Sequence, residues 1–281
     1  ALLNATGSKV PLTLNGTSLG DTTTLMLNTN EQSWTFSDVP SDVVPSILRD
    51  FSAPIRLDSA WTASDLAHIV AHDDDGFSSW EAAQTLMRRA ILERVKDSDS
   101  VILDDTLANA LETLLQKDLD PALQAAVITL PSLTILGDQM DVVDIDGLNK
   151  ARRAMRTALA HRLKDPLANL YDRHFSTADY KFEASEVARR RLVNTALYYL
   201  VASGDDAWTE RAAKQVHVAS NMTDVMAGMK ALSLDGGEHF ATELSAFYDK
   251  WKDDQLVIDK WFSLQATADS DDVLNRIQGL L

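Results

Sequence analysis

The sequence predicts a mainly α protein: an irregular α-solenoid of the HEAT or armadillo type, preceded by a small, incomplete β-sandwich. Three observations carry this expectation. Apolar residues alternate with polar ones before residue 58 and recur at helical spacing from Trp61 onward. The helical stripes are about 10–20 residues long and are joined by short connections, which favours packing of neighbours in the chain. The β-like segment, at 58 residues, is shorter than the ~100 residues of a complete sandwich. We therefore divide the chain into residues 1–58, part of a β-sandwich, and residues 59–281, a helical domain.

In the first segment, Val10-Pro11-Leu12-Thr13-Leu14 alternates and meets a turn signal at Asn15-Gly16. Thr22 to Leu27 and Gln32-Ser33-Trp34-Thr35-Phe36 read as further short strands, with Gly7, Gly20 and Pro40 between them. Four or five strands are expected. Strands missing from a sandwich would lie upstream of Ala1.

The helices follow in order. Thr62 and Asp65 have capping-box spacing ahead of Leu66, Ile69 and Val70. Ser78-Ser79-Trp80-Glu81 reads as the next start, followed by a stripe of Ala83, Leu86, Met87, Ala90, Ile91 and Val95. Asp120-Pro121 reads as an N-cap with proline at the first helical position. Leu123, Ala126, Val127 and Leu130 follow, and Pro131 ends the run. Leu148, Ala151, Met155, Ala158, Leu159 and Leu163 form one stripe, and Val187, Ala188, Leu192, Ala196 and Leu200 another. Asn221 caps a helix bearing Val225, Met226 and Met229, and Gly236-Gly237 breaks it. Further helices are read at 238–252, 254–266 and 270–280. No consensus period is visible. The last apolar stripe runs to Gly279-Leu280-Leu281 without a polar capping helix, so further helices are expected beyond it.

Composition bounds function. The 281 residues carry a formal net charge of -16 with no cysteine. The charge disfavours nucleic acid and anionic membrane surfaces, which require a basic face. The absence of cysteine excludes disulfides and thiolate zinc sites, and it fits a reducing cytoplasm. No stretch has the ~18 apolar residues of a membrane span, and the start lacks the basic region of a signal peptide. The sequons at Asn4, Asn15 and Asn221 are read as chance matches.

The search for chemistry is largely negative. His68 and His72 have the i, i+4 spacing of a helix-borne metal pair, but the general-base position after the first histidine holds Ile69. A third ligand is also required. They are read as part of a surface helix end. Asp73-Asp74-Asp75-Gly76 departs from a calcium loop, because position 12 is Gln84. Asp138, Asp141, Asp144 and Asp146 are read as capping the 148–163 helix. The basic clusters at Lys150–Arg156 and Arg189–Arg191 are read as pairing with acidic neighbours; the sharper alternative is a cavity patch that attracts a peptide carboxylate. Asp249, Lys250, Asp259 and Lys260 are read as forming helix-surface pairs, while Trp251 and Trp261 pack inward. No phosphate loop or nucleophile elbow is present. No catalytic, cofactor-binding or metal-binding residue is assigned.

Five spaced strings resemble the C-terminal half of the bacterial alanyl aminopeptidases, the aminopeptidase N family of zinc gluzincin metallopeptidases. They are Val44-Pro45-Ser46-Ile47-Leu48-Arg49-Asp50-Phe51-Ser52-Ala53-Pro54, Phe77-Ser78-Ser79-Trp80-Glu81-Ala82-Ala83-Gln84, Asp120-Pro121-Ala122-Leu123, Ala219-Ser220-Asn221-Met222-Thr223-Asp224, and the pair Asp249-Lys250-Trp251-Lys252 with Asp259-Lys260-Trp261-Phe262. The resemblance implies a four-domain parent whose zinc and general base lie in an upstream catalytic domain. The H-E-x-x-H motif of that domain is absent from these residues, so none is carried over. The segment would contact its own upstream domain, cap the active site, and admit peptides to an enclosed cavity in a cytoplasmic enzyme. The competing reading is a free-standing α-solenoid scaffold that binds a protein partner.

Overall fold

The computed structural model describes residues 1–55, 57–269 and 273–280. Arg56, residues 270–272 and Leu281 lie outside the described residues, and with them the expected first turn of the last helix. Among the described residues there are five two-residue strands and thirteen α-helices. None of these helices is long and apolar enough to cross a membrane. The chain forms two compact units: residues 1–117 with 126–149, and residues 118–125 with 150–281.

In the first unit, β1 (Leu2–Leu3) pairs antiparallel with β5 (Val44–Pro45). A second sheet has the order β3-β2-β4, with β2 at Thr13–Leu14, β3 at Thr17–Ser18 and β4 at Phe36–Ser37. Asn15 and Gly16, both with positive φ, make the hairpin turn that the Asn-Gly pair predicts. Thr22 to Leu27 forms no ladder, contrary to expectation. Its apolar residues are consecutive rather than alternating, so no single face can be buried, and Met26 and Leu27 are exposed. Gln32 to Phe36 pairs only at its end.

Helix α1 (Ala63–His72) starts at the Thr62–Asp65 capping box. Helix α2 (Gly76–Lys96) starts two residues before the expected position. Asp75 caps it, accepting from Ser78 N at 2.7 Å and Ser78 Oγ at 2.6 Å. Ala83, Leu86, Met87 and Ile91 are buried. Helix α3 (Asp105–Leu115) was not legible as a stripe, yet it packs on α1. The short α5 (Leu133–Gly137) was also unread.

Helix α4 (Pro121–Ile128) begins at Asp120, whose Oδ1 accepts from Ala122 N at 2.7 Å. Asp144 caps α6 (Ile145–Arg162), accepting from Gly147 N at 2.8 Å. Both caps follow the sequence reading, although α4 ends at Ile128, short of the expected stop at Pro131, and α6 begins three residues before the expected 148.

In the second unit, neighbours in sequence are neighbours in space. α7 (Lys164–His174) packs on α8 (Ala184–Ala202), and α9 (Asp206–Val218) on α10 (Met222–Leu232). α11 (Glu238–Trp251) packs on α12 (Gln255–Ala266), and α12 on α13 (Val273–Leu280). Neither α7 nor α9 was read from the sequence. Val187 is exposed, in contrast to the rest of its stripe. It stands in the first turn of α8.

One polar network crosses four helices. Gln215 of α9 accepts from Tyr171 Oη of α7 at 3.2 Å and donates to Asn194 Oδ1 of α8 at 2.8 Å. It also donates to the Asp224 carbonyl of α10 at 3.1 Å. Burial pushes the Tyr171 hydroxyl up to about 12. Gly228 lets α10 approach α9: a Cβ there would lie 2.6 Å from Val216 Cγ2.

The β-rich part of the first unit rests on α1. Gly7 has φ +82°, and a Cβ there would lie 2.2 Å from His72 Cβ. Gly7→Ala should therefore lower stability by about 2–4 kcal/mol in denaturant titrations, combining left-handed strain with overpacking. Gly16→Ala, with φ +75° and open space around it, should cost about 1–2 kcal/mol.

Candidate functional site

The first unit presents a groove of about 880 Å³. It is built from the segment after β5 and from one face of α1 and α2. Phe51, Ile55, Leu57, Trp61, Phe77 and Trp80 supply its apolar wall. Phe51 meets Phe77 in a tilted arrangement at 5.1 Å between centroids, and Phe77 meets Trp80 at 5.8 Å. Ile47, Phe51, Ile55 and Leu57 remain exposed.

The groove's lip is held by strained backbone. Leu48, Asp50 and Phe51 have φ values of 58°, 53° and 52°. Each such residue costs about 1–2 kcal/mol and persists only where its surroundings enforce it. Here the enforcement is electrostatic. Arg49 Nη1 donates to Asp73 Oδ1 at 2.5 Å and to Ser46 Oγ at 2.9 Å, while Nη2 pairs with Asp74. Asp50 N donates to Asp75 Oδ2 at 3.0 Å. Lys9 adds a second cation, 2.9 Å from Asp74 Oδ2.

This corrects the reading of 68–75 as a surface helix end. Asp73 and Asp75 are buried and are held by Arg49 and Asp50 of the turn at 48–51, while the loop at 4–8 reaches His68 through the Asn4 carbonyl. The acidic run is an anchor for the turn and the cap of α2, not a calcium loop. His68 Nε2 is engaged with the Asn4 carbonyl at 2.8 Å, and the His68 and His72 rings lie 4.7 Å apart. Among the described residues no group of three or more His, Cys, Asp or Glu is arranged to hold a metal ion. Burial lowers the His72 pKa, with the charges of His68 and Lys117 adding to it.

Arg153, Arg156, Arg189 and Arg190 of the basic clusters pair inside the second unit. Arg156 Nη2 lies 2.6 Å from Asp269 Oδ2 and Nη1 is 3.1 Å from Tyr198 Oη; Arg153 also pairs with Asp269. Asp269 is distant in sequence, so this pairing was not the expected one with helical neighbours. Arg189 does pair locally, with Glu186 at 2.8 Å, and buried Arg190 stacks under Tyr180 at 4.7 Å and donates to the Lys181 carbonyl. Trp261 Nε1 donates to the Leu244 carbonyl at 3.0 Å. Trp251 and Trp261 are half-buried rather than fully inward. Lys250 lies over the Trp251 ring, and the ion pair at this surface is Lys252 with Asp249. Asp249 thus forms the helix-surface pair expected of it, with the residue three positions on, the spacing that brings side chains together on a helix.

A helical array of armadillo type, preceded by a small Ig-like β unit with an apolar groove beside it, is the class these features define. A family model described as a domain of unknown function (DUF3458_C) with ARM repeats matches residues 63–281. A companion model described as DUF3458 with an Ig-like fold matches residues 1–60. The chain belongs to this family. It is homologous to the C-terminal part of bacterial aminopeptidase N. To aminopeptidase N of Escherichia coli (strain K12) it is 33% identical over 255 residues, covering 89% of this chain and 29% of that protein. To aminopeptidase N of Haemophilus influenzae it is 31% identical over 288 residues, covering 100% of this chain and 32% of that one. The crystal structure of Legionella pneumophila aminopeptidase A in complex with aspartic acid matches with a TM-score of 0.80 and 27% identity, over 99% of this chain and 33% of that chain. The chain thus spans about a third of the length of these relatives.

Two predictions follow from the anchor. Arg49→Ala leaves the Asp73 side chain, which has 0% exposure, without its cation. The loss should be about 3–5 kcal/mol in equilibrium unfolding. Asp74 is held at about 2, first by the Lys9 hydrogen bond and then by Arg49, against its ordinary 3.8. A carboxyl depressed on folding contributes stability above its unfolded pKa and loses it as pH falls through the folded one. The thermal midpoint should therefore decline between about pH 4 and about pH 2, and Asp74→Asn should flatten that decline.

Proposed function

We propose that this chain is the non-catalytic C-terminal segment of a zinc metallo-aminopeptidase that releases N-terminal amino acids from peptides. In this reading its helices cap the active site of the parent and control peptide access. The observation that supports it is the match of 89–100% of the chain to the C-terminal part of aminopeptidase N. The absence of H-E-x-x-H from the sequence agrees with it. The zinc ligands and general base then belong to the upstream catalytic domain, and no residue of this chain is a catalytic, cofactor-binding or metal-binding residue. Residues 1–58 serve as part of the β-sandwich and residues 59–281 as the helical domain. The partners are that upstream domain and peptides entering an enclosed cavity. The freedom from cysteine supports a cytoplasmic enzyme.

Zinc content and alanyl-anilide hydrolysis test this reading, on the chain alone and mixed with the separately expressed upstream polypeptide. The expected result is neither zinc nor turnover alone, with turnover appearing on mixing. Stoichiometric zinc or hydrolysis by the isolated chain overturns it.

A further inference from the structure

One turn of the first unit carries a reactive pair. Asn15-Gly16 is the only asparagine–glycine step in the 281 residues. Both residues are exposed, and nothing lies within 4 Å of the position a Gly16 Cβ would take. The structure sets Asn15 apart from other asparagines of the chain. Asn4 Oδ1 accepts from Thr6 N at 3.0 Å and from Ser8 N at 2.9 Å. Asn194 Nδ2 donates to Asp224 Oδ1 at 2.8 Å, and Asn221 Oδ1 accepts from Asp224 N at 3.0 Å. Those amides are held by the bonds they make. Asn15 stands instead at the tip of a hairpin whose ladder has two pairs, Thr13 with Ser18 and Leu14 with Thr17. Its second strand, β3, lies at the sheet edge and is exposed. A tip of this kind opens locally at little cost. Below it, Leu19 N donates to the carbonyl of buried Leu12 at 2.9 Å, which confines the opening to the tip.

We propose that Asn15 is a self-modification site, converted to isoaspartate and aspartate through a cyclic imide formed with Gly16. The inference stands apart from the proposed function. The Gly16 main-chain nitrogen attacks Asn15 Cγ. The N–Cγ bond forms, the Cγ–Nδ2 bond breaks, and ammonia leaves with the proton given up by the Gly16 amide. Water then adds to one of the two ring carbonyls; its hydroxyl stays on that carbon, the bond from that carbon to nitrogen breaks, and the proton returns to the Gly16 nitrogen. Opening at the main-chain carbonyl routes the chain through Cγ and gives isoaspartate; opening at Cγ gives aspartate. Water is the only co-reactant. Glycine matters because a Cβ on the attacking residue would crowd the approach to Cγ. The closed turn holds φ at 50° and 75°, so ring closure runs from the opened tip. Each product adds a carboxylate to a chain of net charge -16. Isoaspartate also adds a methylene to the main chain, which a two-residue turn cannot absorb while keeping the β2–β3 register. The pairing of β2 with β4 lies outside the altered turn. Edge strand β3 therefore loosens while the rest of the sheet holds.

Peptide mapping of the folded chain, incubated in heavy-oxygen water at mildly alkaline pH, tests the proposal. Conversion at Asn15 should outpace that at exposed Asn30, which precedes Glu31, by about tenfold or more, equivalent to about 1.4 kcal/mol in barrier. The product peptide should carry the heavy oxygen and resolve into two isomers. Gly16→Ala is compared with the unaltered chain in denaturant, where turn strain plays no part, and should convert more slowly by a similar factor. Conversion at Asn15 no faster than at Asn30 in the folded chain overturns the proposal. So does conversion confined to the denatured chain, which would make the folded turn protective. Equal rates for Gly16→Ala and the unaltered chain in denaturant overturn the route through the Gly16 nitrogen.

Discussion

The guanidinium of Arg49, set between Asp73 and Asp74, is the contact on which the first unit depends. It joins the segment after β5 to the turn between α1 and α2, across 24 residues of chain. An ion pair this sheltered contributes less net stability than its geometry suggests, because both partners give up water. Its value lies in specificity. Arg49 holds the 48–51 turn against the turn between α1 and α2, where Asp75 caps α2 and accepts from Asp50 N, and Phe51 lies against Phe77. A charge network of this kind explains why an unfavourable backbone is retained beside an otherwise ordinary helical pair.

The helical part is governed by punctuation more than by propensity. Thr62, Asp75, Asp104, Ser132, Asp205, Asn221 and Asp254 each cap a helix through their own side chain. Each cap satisfies amide groups that would otherwise face the interior of a turn. Short connections then leave each helix little choice but to pack on the next. This accounts for an armadillo-type arrangement without a readable repeat: the caps and stripes recur, while the residues that fill them do not.

Legibility in the sequence follows the same division. Helices with a wide apolar stripe and a strong cap, such as α1, α4, α6 and α10, were readable. Helix α3 has an Asp104 cap and a well-marked apolar face, yet it sits between acidic loops and was passed over. Helices α7 and α9 mix Trp208, Tyr171 and Gln215 into their buried faces, and period alone cannot separate such residues from a polar surface. The groove was not legible at all. Its apolar members Ile47, Phe51, Ile55 and Leu57 lie in irregular chain, where no period exists to be read. The quoted string Val44–Pro54 runs through that very segment, so resemblance marked it where pattern could not. Asp73 was misplaced because an acidic run reads as solvated unless its partner, here Arg49, is known.

Gln215 has a consequence of another kind. Its amide reads three neighbouring helices at once, and it does so with a donor end and an acceptor end that cannot be exchanged. An apolar side chain of the same volume would fill the space but would accept α9 in several rotations about its axis. The amide accepts one. The row of helices from α7 to α10 is thereby keyed, in the way that a ward in a lock admits a single profile. Sequence drift on the outer faces can be extensive while this small polar key keeps the inner faces in register.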